Sequence, residues 1–180
     1  MFGRRRVKSP SHLTAERLHA WAVAQARSID LYATLGAPDT VEGRFELLTL
    51  HIILLLDRLQ GVEAGDLRQR LFDVFLSHLD GAMREMGVGD LVMGKRMRAL
   101  GEVFYGRAQA YEGALGALPD RDALIGLVGR TLFNDAAADA APDLADYVVR
   151  CRATLAAAAV AELCEATPQV RGDPVAGAVR

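Results

Sequence analysis

The sequence predicts an all-α protein: a single helical-bundle-like domain built around a buried central helix. Two observations carry this. The stretch from Asp39 to Gly61, DTVEGRFELLTLHIILLLDRLQG, is apolar around most of a helix, because between Phe45 and Leu59 only Glu46, Thr49, His51, Asp57 and Arg58 are polar. Such a helix has no broad wet face, so other helices must wrap it. Elsewhere apolar residues recur at steps of three and four, with no convincing strand alternation and no internal repeat. The expected organisation is a disordered basic tail over residues 1–12, an all-helical domain over 13–166 and a flexible tail over 167–180.

Ser11 or Thr14 is expected to open a long first helix whose apolar positions include Leu18, Trp21, Ala22, Ala26, Ile29 and Tyr32. It ends at LGAPD, where Gly36 suits a left-handed position and Pro38 blocks continuation. Asp39 is then expected to cap the central helix, with Glu42 completing a capping box and Gly61 closing it. After the loop VEAGD, Asp66 and Gln69 offer a second capping box. The helix that follows carries an inner stripe of Leu67, Leu71, Val74, Phe75, Leu79 and Met86 and stops at GVGD.

The next helix starts near Asp90 or Lys95 and has the cleanest periodicity: Met97, Leu100, Phe104, Ala108, Tyr111 and Leu115. Gly94, Gly101, Gly106 and Gly113 recur along it, each costing about 1 kcal/mol relative to alanine, which predicts close approach of another backbone. A shorter helix from Asp120 to about Phe133 turns Leu124, Val128 and Leu132 inward. Pro142 suits the first turn of a final helix running through Tyr147, Val148, Leu155 and Leu163.

The bulk numbers fit one globular domain: 180 residues, 51% hydrophobic and 24% charged. A net charge of -2 argues against a general nucleic-acid binder, although Arg4, Arg5, Arg6 and Lys8 make the amino end basic. Cys151 and Cys164 fall on different faces of the predicted last helix, so neither a disulfide nor a zinc site is expected. The start lacks the apolar core of a secretory signal, and the longest apolar run is far short of the roughly 20 residues that span a bilayer. These features predict a cytoplasmic protein that is not integral to a membrane.

Catalytic chemistry finds no foothold. His51 has no second ligand at helical spacing and is expected to be a hydrogen-bonded core histidine. His12 and His19 stand two turns apart and are expected to be solvated, with His78 at a stripe edge. Zincin, di-iron, P-loop, nucleophile-elbow and dinucleotide motifs are all missing from the sequence, so no metal and no cofactor is predicted. Glu42 and Glu46 are explained by capping and the helix dipole. Two features point to binding. Phe2 with Arg4, Arg5, Arg6 and Lys8 could contact anionic lipid or ribosomal RNA electrostatically. Arg84, Lys95, Arg96, Arg98 and Arg107 gather around a glycine elbow beside Tyr105 and Tyr111, which reads either as a solvated hinge or as an exposed groove for a partner helix.

The blocks PDTVEGRFELLxLH, MREMGVGDL and VFYGRAxAY, together with the arginine-rich start MFGRRR, resemble the ubiquinol-cytochrome c chaperone family. The resemblance runs from the first helix to about Leu115; beyond Pro119 it rests on length and helical character. It implies a non-catalytic assembly chaperone for ubiquinol-cytochrome c reductase, respiratory complex III, acting at the inner face of the bacterial inner membrane. Newly made cytochrome b would be the client, with a small partner protein, the ribosome or an anionic membrane surface as further contacts. The expected client surface comprises Arg84, Glu85, Gly87, Gly89, Asp90, Lys95, Arg98, Tyr105 and Arg107. The alternative is a helical lipid- or small-molecule-binding protein, which requires an apolar cavity beside His51.

Overall fold

Ser9 opens the first helix: its hydroxyl accepts the amide of His12 at 3.3 Å, and Pro10 occupies the first turn. The computed structural model describes residues 9–60, 66–159, 162–163 and 170, and these form seven helices with no strand among them. In chain order they are α1 (Pro10–Ala26), α2 (Ile29–Ala33), α3 (Val41–Arg58), α4 (Leu67–Glu85), α5 (Asp90–Gly116), α6 (Asp122–Leu132) and α7 (Ala141–Ala157). Gly61, Cys164, the basic residues Arg4 to Lys8 and Phe2 lie outside the described residues. Of the tail expected from 167 only Val170 is described, and it is buried.

Several local expectations are corrected. Helix α1 starts earlier than Ser11, so residues 10–12 are helical rather than part of a tail. The long first helix is two helices, broken at Arg27 and Ser28, where Ser28 turns extended. There the Tyr32 hydroxyl donates to the Ala26 carbonyl at 2.6 Å, satisfying an acceptor that the break sets free. Gly36 adopts φ +69, the left-handed conformation foreseen for it, and the Ala37 amide reaches back to the Leu31 carbonyl at 2.8 Å.

Neither capping box forms. Thr40, not Asp39, has the extended backbone of an N-cap, and its hydroxyl accepts the Gly43 amide at 3.0 Å. Asp39 pairs instead with Arg44 at 2.6 Å, and Glu42 is exposed. Asp66 does precede α4, but its backbone is not extended, so its carboxylate turns to Arg70 at 2.8 Å while Gln69 donates to Asp73. Met86, expected inside the stripe of α4, ends that helix and stands exposed.

The glycines of α5 are a second correction. A Cβ built at Gly94, Gly101, Gly106 or Gly113 would meet nothing within 4 Å, so among the described residues no neighbouring backbone approaches them. Close approaches occur at Gly43, where a Cβ would collide with the Pro38 carbonyl, and at Gly129, where it would collide with the backbone of Asp135 and Ala136.

Helix α3 sits centrally, packing against α1, α4, α5, α6 and α7, and every residue from Thr49 to Leu56 is buried. Its neighbours lock onto it with polar bonds as well as apolar contact. Arg58 donates to the carbonyls of Leu155 and Ala158 at 2.9 and 2.7 Å, closing the end of α7. That helix begins with Pro142 in its first turn, as expected, but ends at Ala157.

Candidate functional site

Three helices leave a groove between them. The last turns of α3 supply Ile53 and Leu56, the first half of α4 supplies Phe72, and the middle of α5 supplies Phe104, Tyr105 and Ala108 around a cavity of about 540 Å³. Its floor is an aromatic cluster: the rings of Phe72 and Phe104 stand 5.1 Å apart, and those of Phe72 and Tyr105 stand 5.7 Å apart. Phe75 backs it from the core side at 5.3 Å from Phe104. Tyr105 is 63% exposed, so the cluster opens to solvent there. The rim is polar and of mixed charge, with Arg68, Gln69, Gln109 and Glu112 facing the opening. An apolar floor with a polar rim suits an amphipathic or apolar helix.

The residues predicted to meet the client separate into three groups. Tyr105 alone lines the groove. Arg107 is a brace between α5 and α3: its guanidinium donates both of its forked bonds to the Glu46 carboxylate at 2.9 Å, which raises its already high pKa. The remainder cluster at the α4–α5 corner. There Arg84 holds Asp80 at 2.7 Å and Asp90 at 2.5 Å, while Gly87 takes φ +83 and Gly89 precedes α5. Glu85, Lys95 and Arg98 are exposed at the same corner. Phe72 and Phe104, central to the groove, carry no signal in the sequence beyond helical periodicity. Their convergence with α3 is a tertiary fact that no local spacing signals.

The histidines divide as well. His51 is fully buried: its Nδ1 donates to the Leu47 carbonyl at 2.7 Å, and its Nε2 accepts from the Tyr147 hydroxyl at 2.7 Å. Burial lowers its pKa to about 4, partly opposed by the bond to Leu47. Both nitrogens are thus occupied, which confirms a core histidine and leaves neither open to a ligand. His19 corrects the expectation of a solvated ring. It is buried between α1 and α4, stacked 4.2 Å from His78, and burial followed by the nearby His78 charge lowers its pKa to about 4. Cys151 is buried next to Tyr147, and burial pushes its thiol up to about 12. Among the described residues no group of three or more His, Cys, Asp or Glu could hold a metal ion.

The family model described as ubiquinol-cytochrome C chaperone matches residues 33–170. The chain belongs to this family. Among solved structures, the crystal structure of the Cbp3 homolog from Brucella abortus matches with a TM-score of 0.77 and 36% identity, covering 86% of this chain and 87% of that chain. No curated protein matches in sequence. The chaperone-family match contains the whole groove and the α4–α5 corner, and it extends through α6 and α7, past Leu115 where the motif resemblance ends. Family membership supports a chaperone role in assembly of the ubiquinol-cytochrome c complex. Among the described residues no helix is long and apolar enough to cross a membrane.

Proposed function

We propose that this chaperone binds newly made cytochrome b, without catalysing a reaction, at the inner face of the bacterial inner membrane, and that the α3–α4–α5 groove is its client seat. The observation that carries the seat is the aromatic floor left open at Tyr105 within a family that serves an apolar membrane complex. An unassembled membrane subunit exposes apolar helix surface, and the groove offers a shaped apolar site that covers it reversibly. Lys95 and Arg98 extend the contact face toward the corner, and a small partner protein or the ribosome would engage other surfaces. The basic residues Arg4, Arg5, Arg6 and Lys8, beside Phe2, would add attraction to anionic membrane or ribosomal RNA.

The test is affinity recovery of the tagged chain from its own membranes after mild crosslinking, with partners identified by mass spectrometry. Cytochrome b is the expected leading partner above a tag-only control. Replacing Lys95 and Arg98 together by glutamate should abolish recovery while leaving helicity unchanged; full recovery removes these two residues from the contact face. Tyr105→Asp places a charge on the groove floor and should reduce recovery at least about tenfold, since burying an unpaired carboxylate costs several kcal/mol.

A further inference from the structure

Met86, Leu91 and Val92 project from the α4–α5 corner at 66%, 102% and 47% exposure, three large apolar side chains within seven residues of chain. Scattered exposed leucines are ordinary, but a cluster at a protruding elbow is not. What lies behind it identifies the surface it fits. Lys95, Arg96 and Arg98 are all exposed, and none has an ion-pair partner among the described residues. On a helix rising about 1.5 Å per residue, Lys95 sits about 6 Å and Arg98 about 10 Å behind Leu91. Interfacial segments bury their apolar face about 5–10 Å into the headgroup and acyl boundary. An apolar tip with a cationic collar at that depth matches the layering of a bilayer surface, acyl chain first and phosphate above it.

The acidic residues nearby do not cancel the collar. Arg84 holds both Asp80 and Asp90. Glu102 lies about 16 Å along α5 from Leu91, and exposed Glu85 beside Met86 is a single carboxylate against the cations Lys95, Arg96 and Arg98. Gly87 takes the left-handed φ of +83 that turns the chain at the corner, and a Cβ built at Gly87 or Gly89 would meet nothing within 4 Å. A protein partner would require no such axial ordering of apolar and cationic residues.

We propose that the α4–α5 corner is a lipid-docking tip: Met86, Leu91 and Val92 enter the headgroup–acyl boundary of an anionic bilayer while Lys95, Arg96 and Arg98 pair with lipid phosphates. This assignment does not depend on the groove; Lys95 and Arg98, which the proposed function also places on the client's contact face, stand where client and bilayer meet. The corner fixes the molecule on the membrane and sets the orientation in which α5 leads away from the surface toward the groove.

The experiment uses the full purified chain with no client present. Vesicles of phosphatidylcholine, with and without phosphatidylglycerol, are tested by flotation with the unaltered protein and with Leu91→Ser/Val92→Ser and Lys95→Gln/Arg98→Gln. Each pair is exposed, so helicity is expected to be unchanged. Each pair should lower binding to anionic vesicles at least about tenfold, and raised salt should weaken the unaltered protein. A Leu91→Trp variant mixed with brominated-lipid vesicles should show tryptophan quenching that the unaltered protein, whose Trp21 is buried, does not. Equal binding by all variants would assign attachment to the amino-terminal basic residues and overturn the proposal. An unquenched Trp at 91 while the protein floats with the vesicles would show that the corner stays outside the bilayer, free for a protein partner, and overturn it equally.

Discussion

At the scale of residues, the His51–Tyr147 pair is the sharpest test of the core. Removing the hydroxyl in Tyr147→Phe leaves the Nε2 of a fully buried imidazole without its donor, so unfolding in urea should become easier by about 1–3 kcal/mol. The same burial makes stability depend on pH. His51 and His19 both titrate near 4 when folded and near the ordinary 6.5 when unfolded. Between those values the unfolded chain binds more protons, so stability is fully present above about pH 6.5, falls as pH drops toward 4 and levels off below it. The contribution of His51 alone is on the order of 3 kcal/mol. A pH series of urea melts should show this slope, reduced in His51→Gln; an equal slope in that variant would place the sensitivity elsewhere. The core role of His51 was legible because its own helix offers no second ligand, whereas Tyr147, 96 residues away, was not. His19 was misread for the same reason: α1 alone does not reveal that α4 covers it.

At the scale of elements, helix order followed from periodicity, and the break between α1 and α2, the helix ends and the glycines did not. Thr40 caps α3 because its backbone is the extended one, a property that the spacing of Asp39 and Glu42 cannot express. Thr40→Ala should therefore destabilise by about 1 kcal/mol, whereas Asp39→Ala, which removes an exposed pair, should change little. The glycines make an opposed pair of predictions. Gly43→Ala drives a methyl into the Pro38 carbonyl and should cost about 1–3 kcal/mol. Gly101→Ala meets open space and should stabilise α5 by up to about 1 kcal/mol. Thermal melts of the two variants should move in opposite directions. Sequence alone supplies the helical cost of each glycine but not what the rest of the fold places beside it, which is why the recurrent glycines of α5 drew attention and Gly43 and Gly129 did not.

At the scale of the whole molecule, the central position of α3 was readable because its wet residues are too few to leave it on a surface. The groove was not, since Ile53, Phe72 and Phe104 come from three helices and meet only through tertiary packing. Of the expected client residues, Tyr105 reaches that groove, Arg107 braces its α5 wall to α3, and the rest form a separate corner. A chaperone with this layout would seat its client in the groove and meet its membrane at the apolar tip, with Lys95 and Arg98 between the two, so groove and tip variants should fail differently: Tyr105→Asp should lose client while retaining vesicle binding, and Leu91→Ser/Val92→Ser should lose vesicle binding first. The most direct test of the account is a photo-crosslinking amino acid placed at position 105, activated in cells that are assembling the respiratory complex. The account predicts a covalent adduct with cytochrome b that is missing when the crosslinker is placed at exposed Arg121, outside the groove lining, in the loop before α6. Adducts with other proteins and none with cytochrome b, while the complex is being made, would contradict it.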